Sequence, residues 1–342
     1  MIKLKPLREQ VIVITGATSG NGLAIAREAV RRGAAVVISA RNEEELASVR
    51  QELAARGGRV VAVRADMSVQ SDVDRLASAA AAAFGGFDSW INNAAAATYG
   101  TLEQVPLADH RQVFDVNYFG VLGASLAAAR HLRTRGGGAI INIGSILSDR
   151  AILEQGPYCA TKHAVQALTD TLRMELEREG ASISVTLIKP AAIDTLFPEH
   201  ARNFMDAPPR LPPPLYQPSV VADAVLFACA TPRREMYVGG GGWLAAKAGR
   251  LAPRLTDLVM EAAGGPAQRK PGDPGDPTRR DNLYQARADG AERGSQQVFA
   301  RGSSLLVELQ KLPSGFASLA IGGMGAAAMV ASTLRKTRRP PR

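Results

Sequence analysis

VIVITGATSGNG, residues 11–22, is the stretch that decides the fold. Five apolar, mostly β-branched residues run into a loop with glycines at 16, 20 and 22. A helical Ala/Arg/Glu-rich pattern begins straight after. A short continuous apolar run suits a strand buried on both faces. Glycines in such a loop let the backbone turn sharply and approach a phosphate closely. The helix start that follows offers free N–H groups and the positive end of a dipole. A glycine loop alone reads equally well as an ordinary turn, so the rest of the chain has to decide.

Further short apolar runs recur along the first 190 residues: AVVISA (35–40), VVAV (60–63), SWIN (89–92), AIINI (139–143) and ISVTLI (183–188), with Met236–Val238 beyond them as a seventh, short candidate. Helical patterns fill the gaps at 21–32, 42–56, 69–84, 107–134 and 156–179. Strand and helix in alternation imply right-handed crossovers. The expected fold class is α/β, a Rossmann-type doubly wound parallel sheet of about seven strands with helices on both faces, plus a C-terminal extension.

At 342 residues the chain has room for one large domain and more. Hydrophobic residues make up 46% but aromatics only 5%, so the core is expected to be aliphatic. Prolines and glycines in GGPAQRKPGDPGDP (264–277) mark a boundary. The division expected is a catalytic, dinucleotide-binding domain at 1–262, a linker at 263–280 and an extension at 281–342. The six prolines of 206–218 exclude regular structure there and suit a loop over a substrate.

Most of the net charge of +9 lies in residues 251–342, with 14 basic against 8 acidic side chains. No recognised nucleic-acid motif accompanies it, so a solvated surface is expected and no nucleic-acid partner. The uncharged segment 316–334 is followed by RKTRRPPR. Its length permits membrane contact through 316–342, but its Gly/Ala content equally suits a packed or irregular segment. Cys159 and Cys229 cannot make a secreted disulfide framework, and no Cys/His spacing suggests a metal. The start of the chain lacks an apolar run of signal-peptide length, so a cytoplasmic location is expected.

Tyr158 and Lys162 stand four apart on a helical pattern and share a face. A nearby ammonium favours phenolate, which equips a phenol for acid–base work at a carbonyl or hydroxyl. Ser145 follows the AIINI run, where a strand end of a parallel sheet meets ligands. Ser148 is its competitor.

The set TGATSGNG, NNAA (92–95), Asn117 in DVNYFG, Ser145 and YCATK (158–162) resembles the short-chain dehydrogenase/reductase superfamily, from about Val11 to Gly239. The resemblance implies an oxidoreductase that moves a hydride between a nicotinamide dinucleotide and a carbonyl or secondary alcohol. Tyr158 would be the general acid/base, with Lys162 lowering its pKa and holding the nicotinamide ribose. Ser145 would polarise the substrate oxygen, and Asn117 would support a proton-relay water. Asp66 would meet the adenine, and Asn92 would steady the sheet, a purely structural role being equally open. Ile193 and Thr195 would cover the nicotinamide. The cofactor-binding set is then Gly16, Thr18, Ser19, Gly20, Asn21, Gly22, Arg41, Asp66, Asn93, Ala94, Tyr158, Lys162, Pro190, Ile193 and Thr195. Asn21, Ala95 and Ala191 depart from the residues the family usually carries there, Ile, Gly and Gly.

Where relatives using NAD place an acid at the end of the second strand, this chain has Ala40 and then Arg41, which favours NADP(H) over NAD(H). Leu196, Phe197, Phe204 and Met205 suggest a hydrophobic substrate. Homo-oligomers through 107–134 and 156–179 are implied by resemblance. A cofactor-binding scaffold or redox sensor without turnover is the alternative function, against which the complete Tyr158, Lys162, Ser145 and Asn117 set argues.

Overall fold

The computed structural model describes residues 2–270, 272–273 and 280–313, so the apolar segment 316–334 lies outside the described residues. Seven strands form one parallel sheet: β1 (Val11–Thr15), β2 (Ala35–Ala40), β3 (Val60–Arg64), β4 (Ser89–Asn92), β5 (Gly138–Ile143), β6 (Ile183–Pro190) and β7 (Glu235–Val238). Their spatial order is β7-β6-β5-β4-β1-β2-β3. In register, Val13 faces Val37 on one side and Trp90 on the other.

Alternation along the strands feeds two separate cores. Ile12 and Ile14 of β1, with Val36 and Ile38 of β2, join Leu23, Ile25 and Val30 of α1 (Gly20–Arg31), Leu46 and Leu53 of α2 (Glu43–Ala55) and Val221 and Val225 of α8 (Pro218–Ala230). Val11, Val13 and Val37 point the other way. They meet Val73 and Leu76 of α3 (Gln70–Phe84), Ala124, Ala128 and Leu132 of α5 (Gly120–Thr134), and Leu172 and Leu176 of α6 (Gly156–Arg178). Burial on both faces explains why the central strands β1 and β2 read as nearly unbroken apolar runs. Helix α8 is nearly all apolar, which hid it from a periodicity search.

The stretch 107–134 is not one α-helix. α4 (Leu107–Phe114) passes through a π-helical turn at Asp115–Phe119 into α5. The extra residue per turn re-aims Asn117 into the interior. After the short α7 (Phe197–His200), most of the proline-rich loop is irregular as expected, yet Leu215–Tyr216 forms a two-residue strand paired with Ala300–Arg301. The segment expected to be linker from 263 is helical at its start. α9 (Gly240–Leu251) leads to α10 (Pro253–Gln268), which runs past 262 with Pro266 inside it.

Part of the extension finishes the sheet edge. α11 (Leu305–Lys311) places the Gln310 side chain on β7, where its oxygen accepts from the Tyr237 N–H at 2.9 Å and its amide donates to the Tyr237 carbonyl at 2.8 Å. This occupies backbone groups that an open edge would expose. Among the described residues no helix is long and apolar enough to cross a membrane.

At the end of β6, Lys189 is a buried cation. Its Nζ reaches both Asp149 oxygens at 3.1 Å and Glu235 at 2.8 Å. The Tyr237 hydroxyl donates to Asp149 at 2.7 Å. Removing the Asp149 carboxylate leaves a buried charge short of partners, so Asp149→Ala is expected to cost about 3–5 kcal/mol in urea unfolding. Burial works to raise the Asp149 pKa, but the Tyr237 hydroxyl and the Lys189 ammonium outweigh it and hold the carboxyl below its usual range. A depressed folded-state pKa gives stability present above about pH 4 and lost on further acidification. Asp149→Asn should flatten that acid limb of the stability profile.

Candidate active site

The order of strands reverses at β1, which has β2 on one edge and β4 on the other. A crevice opens there at the carboxyl ends of the strands. It holds a cavity of about 600 Å³. The wall runs from Arg41 and Asp66 at one end, past Gly16, Thr18, Ser19, Gly20 and Asn21, to Ser145, Tyr158 and Lys162.

The glycine loop is held from below. Thr15 Oγ1 accepts from the N–H groups of Asn93 and Ala94 at 3.0 and 3.1 Å. The Asn93 side chain donates to the carbonyls of Thr15 and Gly16 at 2.9 and 3.0 Å. Gly16 has φ +65°, and a Cβ there would lie 2.9 Å from Ala94 Cα. Gly22 lies outside the cavity wall, and its missing side chain makes room for the Gly16 carbonyl. Its missing side chain thus lets α1 pack under the loop. Asn93 lines the cavity, but its amide is committed to the loop.

At the other end, Ser145 caps a 3₁₀ turn at Ile146–Ser148. Its oxygen accepts from Leu147 N–H at 3.0 Å, and its own hydrogen is directed towards the Tyr158 hydroxyl. Ser148 accepts from Ser145 N–H at 3.2 Å and lies outside the cavity wall, so of the two serines Ser145 is the one that lines the cavity. Lys162 Nζ donates to the Ile143 carbonyl at 2.7 Å and sits 5.4 Å from the centre of the Tyr158 ring. Burial draws the Lys162 ammonium down to about 8. Burial also lifts the Tyr158 phenol above its usual range, with a Ser145 hydrogen bond acting against it. That direction is opposite to the lowering expected from Lys162. The phenol lies against apolar surroundings, with Phe197 5.1 Å from its ring, and loss of hydration dominates.

Asn117 is fully buried and does not face the cavity. Its oxygen accepts from Ala96 N–H at 2.8 Å, and its amide donates to the Ala96 carbonyl at 2.8 Å and the Thr161 hydroxyl at 3.1 Å. Its side chain thus positions the loop after β4 and the residue before Lys162. Asn92 is structural too, joined to Ser125 at 3.0 Å and Asn142 at 2.8 Å.

Ala94, Pro190, Ile193 and Thr195 all line the cavity. Asp66 lines it as well, with one oxygen accepting from the Ser68 N–H and hydroxyl at 2.9 and 2.7 Å. Arg41 lies 4.0 Å from Asp66, and its guanidinium donates to the carbonyls of Asn282, Leu283 and Tyr284. Leu196 and Phe197 face the cavity, whereas Phe204 and Met205 do not. Met205 packs with Tyr99 and Ala201 instead. Leu211 and Pro212 of the apolar wall come from the proline-rich loop expected over a substrate, whereas sequence reading missed Ala246 and Met260, and Ala286 and Arg287 of the extension. No local motif marks them, because distant chain segments bring them in.

A dinucleotide fits this donor set. The start of α1 lines the cavity with N–H groups suited to a phosphate, and the buried, unpartnered Asn21 Oδ1 beside it is an acceptor that a ribose hydroxyl could satisfy. Asn117→Ala would strand the Ala96 amide and carbonyl, so a loss of about 2–4 kcal/mol in urea unfolding is expected.

Residues 10–205 match the family model for short chain dehydrogenases. The chain is 41% identical over 323 residues to the uncharacterized oxidoreductase YxnA of Bacillus subtilis, covering 94% of this chain and 90% of that one. A short-chain dehydrogenase/reductase from Burkholderia phymatum, solved in complex with NAD, superposes with a TM-score of 0.64 at 28% identity, over 80% of this chain and all of that one. An alcohol dehydrogenase from Thermococcus sibiricus, complexed with 5-hydroxy-NADP, gives a TM-score of 0.59 at 27% identity, over 67% of this chain and 95% of that one. The chain belongs to the short-chain dehydrogenase/reductase family of oxidoreductases acting on CH–OH and C=O groups.

Proposed function

We propose that the protein is an NADP(H)-dependent oxidoreductase that interconverts a hydrophobic carbonyl and its secondary alcohol. The observation carrying this reading is one cavity that joins a phosphate-ready helix start to a buried phenol, a hydroxyl and an ammonium. Thr18, Ser19 and Asn21, on a turn shaped by Gly16 and Gly20, would hold the diphosphate, and Arg41 and Asp66 the adenosine end. Asn93, Ala94, Pro190, Ile193 and Thr195 would hold the nicotinamide half. Nicotinamide, when bound, supplies or accepts the hydride at the substrate carbon.

The chain's own residues then manage the proton. In reduction Tyr158 donates its phenolic proton to the substrate oxygen; in oxidation it takes that proton back. A phenol above its ordinary pKa remains protonated at neutral pH, which suits the reductive direction. Ser145 directs its hydroxyl hydrogen at the same oxygen. The Lys162 ammonium stabilises the phenolate left behind, and Asn117 holds the helix turn that presents it. Leu147, Ile152, Leu196, Phe197, Leu211 and Met260 supply an apolar wall for the rest of the substrate.

The preference for the phosphorylated cofactor rests on charge. β2 ends in Ala40 where an acid would favour the unphosphorylated ribose, and Arg41 borders the cavity. Exposed Phe119, Leu126 and Met174 on the π turn, α5 and α6 support a homo-oligomer through these elements.

NADPH oxidation with a panel of apolar ketones tests the activity. Tyr158→Phe should lower kcat by about 10²–10⁴-fold while dinucleotide affinity is retained. An unchanged rate would remove Tyr158 as the acid. NADPH should bind at least about tenfold tighter than NADH, a gap that Arg41→Ala should narrow. Because the ammonium is lost as pH rises through about 8, reductive kcat/KM should fall above that pH.

A further inference from the structure

The polar stretch after residue 281 crosses the cleft from bank to bank. On the α1 and α2 side, Ala291 accepts from Gly20 N–H at 2.9 Å and Arg287 accepts, through its carbonyl, from Asn42 Nδ2 at 3.2 Å. Arg41 donates to three consecutive carbonyls, those of Asn282, Leu283 and Tyr284, and Glu45 accepts from Gly290 N–H. Glu292 pairs with Arg27 at 2.8 Å. On the β6–α7 side, Asn282 N–H donates to the His200 carbonyl at 2.9 Å. Arg293 pairs with the buried Asp194 at 2.7 Å. Ser295 donates twice to Glu199, from its N–H at 3.1 Å and its hydroxyl at 2.6 Å.

Two glycines let the segment lie this close. A Cβ on Gly290 would fall 2.5 Å from the Thr18 carbonyl on one bank. A Cβ on Gly294 would fall 2.5 Å from the Thr195 carbonyl on the other. Both neighbours are backbone of cavity-lining residues, so neither can turn aside. Between the banks, Ala286 and Arg287 line the cavity. The Arg287 guanidinium is set in place by Asp289 at 2.5 Å and the Glu199 carbonyl at 3.2 Å. The segment takes the Gly20 N–H, but Thr18, Ser19 and Asn21 still face the cavity, so it roofs the space and does not fill it.

We propose that residues 282–295 form a strap that completes the dinucleotide site, with Arg287 as a cation for the cofactor's phosphates, and that the cofactor enters and leaves only when the strap lifts. This rests on reading the cleft as a dinucleotide site. It adds to that reading a binding residue from outside the matched family segment and a step that governs release.

The test uses the full chain with NADPH as probe. Stopped-flow fluorescence gives the release rate, and titration gives Kd. Gly290→Val and Gly294→Val force the strap off one bank each and should speed release by about tenfold or more. Arg293→Ala with Ser295→Ala loosens the same bank through side chains alone and should do likewise if the glycine variants fail to fold. Arg287→Ala should raise Kd by about tenfold, with Arg287→Lys recovering part of the loss. Folded variants with the release rate and Kd of the parent chain would overturn the strap while leaving the cofactor reading intact. A parent chain that binds neither NADPH nor NADH would overturn both.

Discussion

β1 is hydrogen-bonded to β2 on one edge and to β4 on the other, and everything functional follows from that constraint. Crossovers leave β1 and β4 on opposite sides, so no helix covers the carboxyl end between them. The chain leaving β1 has to turn back under its own strand, and Gly16 in a left-handed conformation makes the turn. Thr15 and Asn93 then tie the turn to β4. Together they fix where α1 starts, and with it where an anion can be met by N–H groups.

The sheet was legible because a strand buried on both faces shows no alternation to misread. VIVIT and AVVISA became β1 and β2 residue for residue. Tyr158, Lys162 and Ser145 were legible because helix spacing and a strand end place them without help from distant segments. The π turn at Asp115–Phe119 was not, since a π turn leaves the helical sequence pattern unbroken. Nor was the helical start of the supposed linker, where Gly264, Gly265 and Pro266 argue locally against a helix that packing nevertheless supports. Side-chain duties were the least legible. Asn117 was expected beside a proton-relay water and Asn93 and Gly22 at the cofactor; in the structure the Asn117 and Asn93 amides bond backbone beside the cavity, and Gly22 makes room for the Gly16 carbonyl.

Two burial effects shape the chemistry in opposite senses. Burial makes the Tyr158 phenol a reluctant phenolate and Lys162 a more willing base. At neutral pH the two shifts leave a protonated phenol beside an ammonium that is retained below about pH 8. The strap bears on the same balance. A roof across the cleft excludes water, which strengthens every charge interaction beneath it. Arg41 is its anchor on the β2 side, through the carbonyls of Leu283 and Tyr284, and is also the residue proposed for the adenosine end.

The most direct measurement is a crystal structure of the chain grown with NADP⁺. The account predicts density for the dinucleotide along the switch-point cleft, diphosphate at the start of α1, nicotinamide beside Tyr158, and the 282–295 segment over it. Density elsewhere on the molecule, or a nicotinamide facing away from the Tyr158 hydroxyl, would contradict it.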